Sequence, residues 1–135
     1  MIGVVEMVLY HATYRARLAS IKKYGLGAKQ YKNYEFSENN VVYFADNPEL
    51  AWSFCEGADD GVSDSVYESG IVVLVVDSEW FNDEGFSLDK NWHGDEGLCA
   101  VYRGVIDPRY LHVDSKGKIV GRLLELKRVP SSGFD

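Results

Sequence analysis

Val8-Leu9-Tyr10-His11-Ala12-Thr13, continuing without a break to Tyr24-Gly25-Leu26, decides how the rest of the chain is read. Met7 to His11 is short, apolar and without helical period, so it is predicted to be a strand. Thr13 is an N-cap type of residue, and a helix is expected from about Tyr14 to Tyr24. Tyr14, Leu18 and Ile21 fall on one face of that helix, with Arg15, Lys22 and Lys23 mostly opposite. Gly25 stands where a left-handed C-cap belongs, and Leu26 can fold back onto the helix end. The strand therefore ends on one ionisable side chain, His11, beside the opening that a helix start leaves. Read alone, a histidine among apolar neighbours is a packed core residue.

The second organising stretch is Asn40-Val41-Val42-Tyr43-Phe44-Ala45, a strand by its β-branched and aromatic content. Asp46-Asn47-Pro48-Glu49 then supplies a polar cap, a proline at the first helical position and an acid in the first turn. The helix carries Leu50, Ala51, Trp52, Phe54 and Cys55 and is expected to end near Gly57. Between these units, Gly27–Asn40 sets Tyr31, Tyr34 and Phe36 among polar residues, as cleft lining or as pins to the core. Gly57 to Ser69 is acidic and rich in Gly and Ser, predicting an exposed loop.

Gly70 to Asp77 is apolar at every position from Ile71 to Val76, so it is predicted to be a strand buried on both faces. Ser78 to Glu96 shows no period, Leu98 to Arg103 reads as a strand, and Ile106-Asp107-Pro108 reads as a turn. Tyr110–Val113 and Lys118–Val129 are expected to form a hairpin about Asp114-Ser115-Lys116-Gly117, leaving residues 130–135 as a fraying tail. Helices early and strands late predict an α+β domain.

The 135 residues suit one domain with a real core. Cys55 and Cys99 match no disulfide framework or metal spacing, and the apolar N-terminal run is interrupted by Glu6. The expectation is a protein of the reducing cytoplasm, without signal peptide, membrane span or metal. A net charge of -7 argues against nonspecific nucleic-acid binding, while leaving room for a nucleic acid met at one local basic patch. Arg15, Arg17, Lys22 and Lys23 cluster beside the opening stretch, although a charged helix face is usually a solvated one.

Leu9-Tyr10-His11-Ala12-Thr13 through Ile21 and Gly25-Leu26 resembles the strand–helix that opens the donor site of the poly(ADP-ribose) polymerase catalytic domain. Val42-Tyr43-Phe44-Ala45-Asp46 through Ala51 and Phe54-Cys55 is similar to the second motif of the same ADP-ribosyltransferase superfamily. Both matches are free of gaps and in the family's order, covering about a third of the chain. The resemblance implies a split mixed or antiparallel sheet with two main helices, binding NAD as a substrate. His11 would hydrogen-bond the adenosine ribose, the Ala12 backbone would hold the nicotinamide amide, and Thr13 would touch the same ribose. Tyr43 and Phe54 would sandwich the nicotinamide ring, each offering a flat face. Ala12 and Ala51 stand where relatives carry glycine and serine, which limits close backbone approach and removes one hydroxyl from the nicotinamide site.

The resemblance also implies an acid at the start of a later strand, and Glu96, ahead of Leu98-Cys99-Ala100-Val101-Tyr102, takes that place. It lies about two residues farther from the Val-Tyr pair than the family pattern, an offset that a bulge absorbs. Asp95 and Glu125 are the substitutes, and a solvated loop acid is the plain reading of Glu96. A carboxylate beside the sugar stabilises the positive charge that develops as the nicotinamide–ribose bond breaks.

The function expected is thus a small mono-ADP-ribosyltransferase, passing ADP-ribose to an unidentified macromolecular or small-molecule acceptor or to water. Its catalytic residues would be Glu96, His11 and Tyr43. A variant of this chemistry removes a 2′-phosphate from RNA and needs a basic acceptor groove. The alternative from another class is a non-catalytic NAD or ADP-ribose-binding module on the same fold. A third, a metal-free ribonuclease using His11 with His93 or His112, rests on residue type alone.

Overall fold

The computed structural model describes residues 8–28, 41–57, 63–76, 86–88 and 99–134. Seven strands form one sheet: β1 (Leu9–Tyr14), β2 (Val41–Ala45), β3 (Ile71–Val76), β4 (Phe86–Leu88), β5 (Cys99–Arg103), β6 (Leu111–Ser115) and β7 (Lys118–Arg122). Their order is β4-β5-β2-β1-β3-β6-β7, and each neighbouring pair is antiparallel. Among the described residues three α-helices accompany them, α1 (Leu18–Tyr24), α2 (Pro48–Gly57) and α3 (Asp64–Glu68). The architecture is α+β, as expected. None of the described helices is long and apolar enough to cross a membrane.

The sheet buries both faces because alternate side chains point to opposite sides. One face presents Leu9, Val42, Phe44, Val72, Leu74, Leu111 and Val113, packed with Leu18 and Ile21 of α1 and with Leu26, Ile106, Leu123 and Val129. The other carries Tyr10, Ala12 and Ala45, which pack with Leu50, Ala51 and Phe54 of α2. Burying a Val, Leu, Ile or Phe side chain contributes about 1.5–3 kcal/mol, so the larger cluster holds most of the stabilisation. β3 is buried along its whole length, matching its reading as an interior strand, although β1 occupies the middle of the order.

The start of α2 follows the sequence closely. Asn47 Oδ1 accepts a hydrogen bond from the Leu50 backbone N–H at 2.8 Å, and Pro48 is the first helical residue. The start of α1 does not. β1 continues through Thr13 to Tyr14, in register with β3 from Leu9↔Val76 to Tyr14↔Ile71. A 3-10 turn, Arg15–Arg17, follows before α1 begins at Leu18. Thr13 therefore caps no helix; it is a buried strand residue. The ladder hydrogen bonds to β3 extend the strand farther than local propensity indicates.

Gly25 has positive φ, but its ψ of 163° lies outside the left-handed helical region expected of a C-cap. Its N–H still bonds the Ile21 carbonyl at 2.8 Å, and Leu26 exchanges two backbone hydrogen bonds of 2.9 Å with Ile106. The 57–69 stretch contains α3, whose N-cap Ser63 accepts from the Val66 N–H, where an irregular loop was expected. The irregular stretch predicted over Ser78–Glu96 likewise contains the short strand β4.

Two expectations for the C-terminal region are corrected. β7 stops at Arg122 and a 3-10 turn takes Leu123–Glu125, so Glu125 is an exposed turn residue rather than a mid-strand acid. Residues 130–134 do not fray: the Ser132 N–H donates to the Ile71 carbonyl at 3.1 Å and its carbonyl accepts from Lys116 N–H at 2.8 Å. The pairing of β6 with β3 runs from Val76 only as far as Val73, so the tail satisfies the end of β3 that β6 leaves.

Candidate functional site

The two motifs meet where β1 and β2 part. Among the described residues these strands register at Tyr10↔Ala45 alone, whereas β1 pairs with β3 and β2 with β5 along their lengths. At this opening the His11 Nδ1–H donates to the backbone carbonyl of Tyr43 at 2.8 Å. The side chain thus bonds the backbone of the neighbouring strand across the opening. The His11 ring also lies 5.7 Å from the Phe44 ring, centroid to centroid, tilted by 58°.

Burial lowers the pKa of His11, the Arg17 charge adds to the lowering, and the bond to the Tyr43 carbonyl opposes it. Desolvation dominates, so the imidazole is neutral at physiological pH. With Nδ1 carrying the proton, Nε2 is left as the acceptor. A neutral ring presenting one acceptor nitrogen suits a hydroxyl donor, not an anion.

Ala12, Ala51 and Phe54 come together on the α2 side of the sheet, in one cluster with Tyr10, Ala45 and Leu50. Tyr43 is two residues before Ala45 on β2 and so projects to that same side; its side chain is half-buried. His11 and Thr13 project to the α1 side. Neighbouring positions on β1 thus divide the predicted residues between the two faces. One bond links the two groups: the His11 ring reaches the Tyr43 backbone.

The first turn after β1 adds residues for which the motifs gave no role. Arg17 lies 5.7 Å from the Tyr14 ring centroid, and its charge acts on both His11 and Cys55. The Tyr14 hydroxyl donates to the Cys55 carbonyl at 3.4 Å. Burial pushes the Cys55 thiol up to about 12, with Arg17 opposing, so this cysteine stays protonated and is no nucleophile near neutrality. Tyr10 was readable as a companion of Ala12, two residues along the same strand. Arg17 was legible only as one of the basic residues clustered beside the opening stretch, because its position depends on the 3-10 turn that precedes α1.

Asp114 is a second unforeseen residue. It is fully buried, its Oδ2 accepts from the Gly117 N–H at 3.0 Å, and its Oδ1 has no hydrogen-bond partner. Burial raises its pKa, opposed by the Gly117 hydrogen bond. It also raises the pKa of Tyr10 by its charge, second to the effect of burial on that phenol. Sequence reading places it as an ordinary turn aspartate; in the sheet it is a β6 residue paired with Val73 of β3.

Glu96 and Asp95, the leading acids of the third motif, and His93 lie outside the described residues, as do Tyr31, Tyr34 and Phe36. A scan against protein-family models finds no match for this chain, and a search of curated proteins finds none.

Proposed function

We propose that the protein is a small NAD-dependent mono-ADP-ribosyltransferase, built on an ADP-ribosyltransferase-like split sheet. The observation that carries this reading is the junction of β1 and β2. His11 bonds the Tyr43 backbone there, and Ala12, Ala51 and Phe54 gather on the adjoining face. The residues suit NAD in chemical type. Neutral His11 offers an acceptor nitrogen to a ribose hydroxyl, and Tyr43 and Phe54 offer flat faces for an aromatic ring. Orienting the donor in this way supplies rate enhancement as positioning.

In the reaction, the bond between the nicotinamide nitrogen and the ribose carbon breaks. Nicotinamide leaves with the electron pair, and an acceptor or water bonds to that carbon while giving up a proton. Glu96 is assigned to the developing positive charge, with Asp95 as substitute. Glu125, in an exposed turn, is the weakest of the three acids.

A second reading is a binding module that holds NAD or ADP-ribose without turnover. Its support is Ala51, whose buried methyl group offers no hydrogen bond to a nicotinamide amide. Incubation of the protein with NAD, followed by nicotinamide release, separates the two. Release abolished by both Glu96→Ala and Tyr43→Ala supports the transferase. NAD binding that needs Tyr43 without any release supports the module. Neither release nor binding removes both, and returns His11 to a purely structural role.

A further inference from the structure

We infer that the β6–β7 edge of the sheet and the segment following it form a docking surface for a nucleic-acid strand. This deepens the transferase reading by naming the chemical class of the acceptor, and in that respect rests on it. Residues 109–128 carry six of the chain's fourteen Lys and Arg, and with Asp114 and Glu125 have a net charge of +4. The remaining sequence has a net charge of -11. Arg109, Lys116, Lys118, Arg122, Lys127 and Arg128 are all exposed, whereas Asp114 is buried. The overall charge of -7 therefore hides a strongly positive end.

Hydrogen bonds fix part of this set in place. Arg122 donates to the Arg109 carbonyl at 3.2 Å, and the Arg109 guanidinium sits 4.8 Å from the Tyr110 ring centroid. The Lys116 N–H bonds the Ser132 carbonyl, fixing the hairpin turn against the C-terminal segment. Just beyond Lys127 and Arg128, the Val129 carbonyl accepts a hydrogen bond from Arg15. That bond connects the basic end to the turn following β1, four residues from His11. β7 is three strands from β1, or about 14 Å at the usual strand spacing. A bound strand thus has a short path from this edge to the opening between β1 and β2.

Among the described residues, the exposed acids of this part of the chain are Asp107, 3.8 Å from Arg109, and Glu125. Both are solvated and remove little of the field. Self-association through β7 is disfavoured, since antiparallel pairing of two copies about Val120 sets Lys118 of one against Arg122 of the other. A phosphodiester backbone suits spaced, exposed Lys and Arg without requiring a groove, and Arg109 above Tyr110 adds a flat cation where a base can stack.

The test is fluorescence anisotropy of a short fluorescein-labelled single-stranded RNA, and of DNA of the same sequence, titrated with the protein across salt concentrations. Six phosphate contacts predict affinity falling on the order of 10²–10³-fold between about 50 and 200 mM salt. The combined substitutions Lys118→Gln, Lys127→Gln and Arg128→Gln should lower the slope of log affinity against log salt by about 2, with an unchanged thermal melt. The corresponding Glu substitutions should abolish binding at low salt. A preference between RNA and DNA identifies which polymer is used. No binding, a slope unmoved by the Gln substitutions, or equal competition by poly-glutamate overturns the inference. Nicotinamide release without oligonucleotide binding removes the docking surface alone; salt-dependent binding without release removes the transferase reading alone.

Discussion

His11 donates its Nδ1 hydrogen to the backbone carbonyl of Tyr43 across the opening between β1 and β2, at 2.8 Å. The bond joins the two sequence motifs. It gives His11 a structural task at Nδ1 and leaves Nε2 for a ligand, so the two tasks separate by substitution. His11→Ala leaves the Tyr43 carbonyl without this donor, at an expected cost of about 1–3 kcal/mol in urea denaturation. His11→Asn places an amide N–H near the former Nδ1 and should lose less stability. Both should lose NAD affinity, because neither supplies the second nitrogen. Equal destabilisation by the two substitutions would show that the Nδ1 bond contributes nothing separable.

The same histidine predicts a pH dependence. Its folded pKa lies below the ordinary 6.5 because burial disfavours the charged ring. The unfolded chain therefore binds the extra proton first as acid is added. The contribution of neutral His11 is present above about pH 6.5 and is lost as pH falls through the folded value. Urea midpoints measured downward from pH 7 should fall in the parent, with a shallower fall in His11→Asn.

Tyr43 and Phe54 should act through their ring faces. Tyr43→Phe is expected to keep NAD affinity within a few-fold. Tyr43→Ala and Phe54→Ala each should weaken it by about 5- to 150-fold, the range for loss of 1–3 kcal/mol of aromatic stacking. Phe54 also packs on the Ala45–Leu50–Ala51 cluster, so its Ala variant should melt earlier. Isothermal titration with NAD at a temperature where each variant is folded separates affinity from stability. Unchanged affinity in both Ala variants would exclude the stacking site.

Asp114 should be a cost at neutral pH. Its folded pKa is raised by burial, so its favourable contribution is complete below its ordinary value and is lost as pH rises through the folded value. Asp114→Asn keeps an oxygen for the Gly117 N–H and removes the buried charge. At pH 7 it should melt at or above the parent temperature, and at pH 4 the advantage should shrink. Calorimetric scans at the two pH values check this; an advantage that grows in acid would refute it.

The C-terminal segment should contribute measurably to stability. Deleting residues 131–135 removes both backbone hydrogen bonds of Ser132, to Ile71 and Lys116. A loss of about 1–3 kcal/mol is expected, at 0.5–1.5 kcal/mol for each bond. Amide hydrogen exchange at Lys116 should accelerate in the truncated chain. Unchanged protection there would mean that the segment is not held in solution.

Local sequence determined much of this protein. The all-apolar run Ile71–Val76 made β3 an interior strand. Asn47 and Pro48 set the start of α2, since cap chemistry acts within a few residues. Alternation put Tyr10 with Ala12 on one face of β1 and Tyr43 with Ala45 on one face of β2, and the Tyr10↔Ala45 register then brought the two pairs to the same side of the sheet. Tertiary structure decided what depends on distant partners. Pairing with β3 carried β1 past Thr13 to Tyr14 and turned an expected helix cap into a buried strand residue. The end of β3 beyond β6 captured Ser132 and ordered a tail of unremarkable composition. The pairing of β6 with β3 set Asp114 opposite Val73 on an interior strand, where it is buried. Above all, the bond between His11 and the Tyr43 carbonyl exists because β1 and β2 part after one registered pair. That separation is a property of how two strands sit in the sheet, and neither strand's sequence contains it.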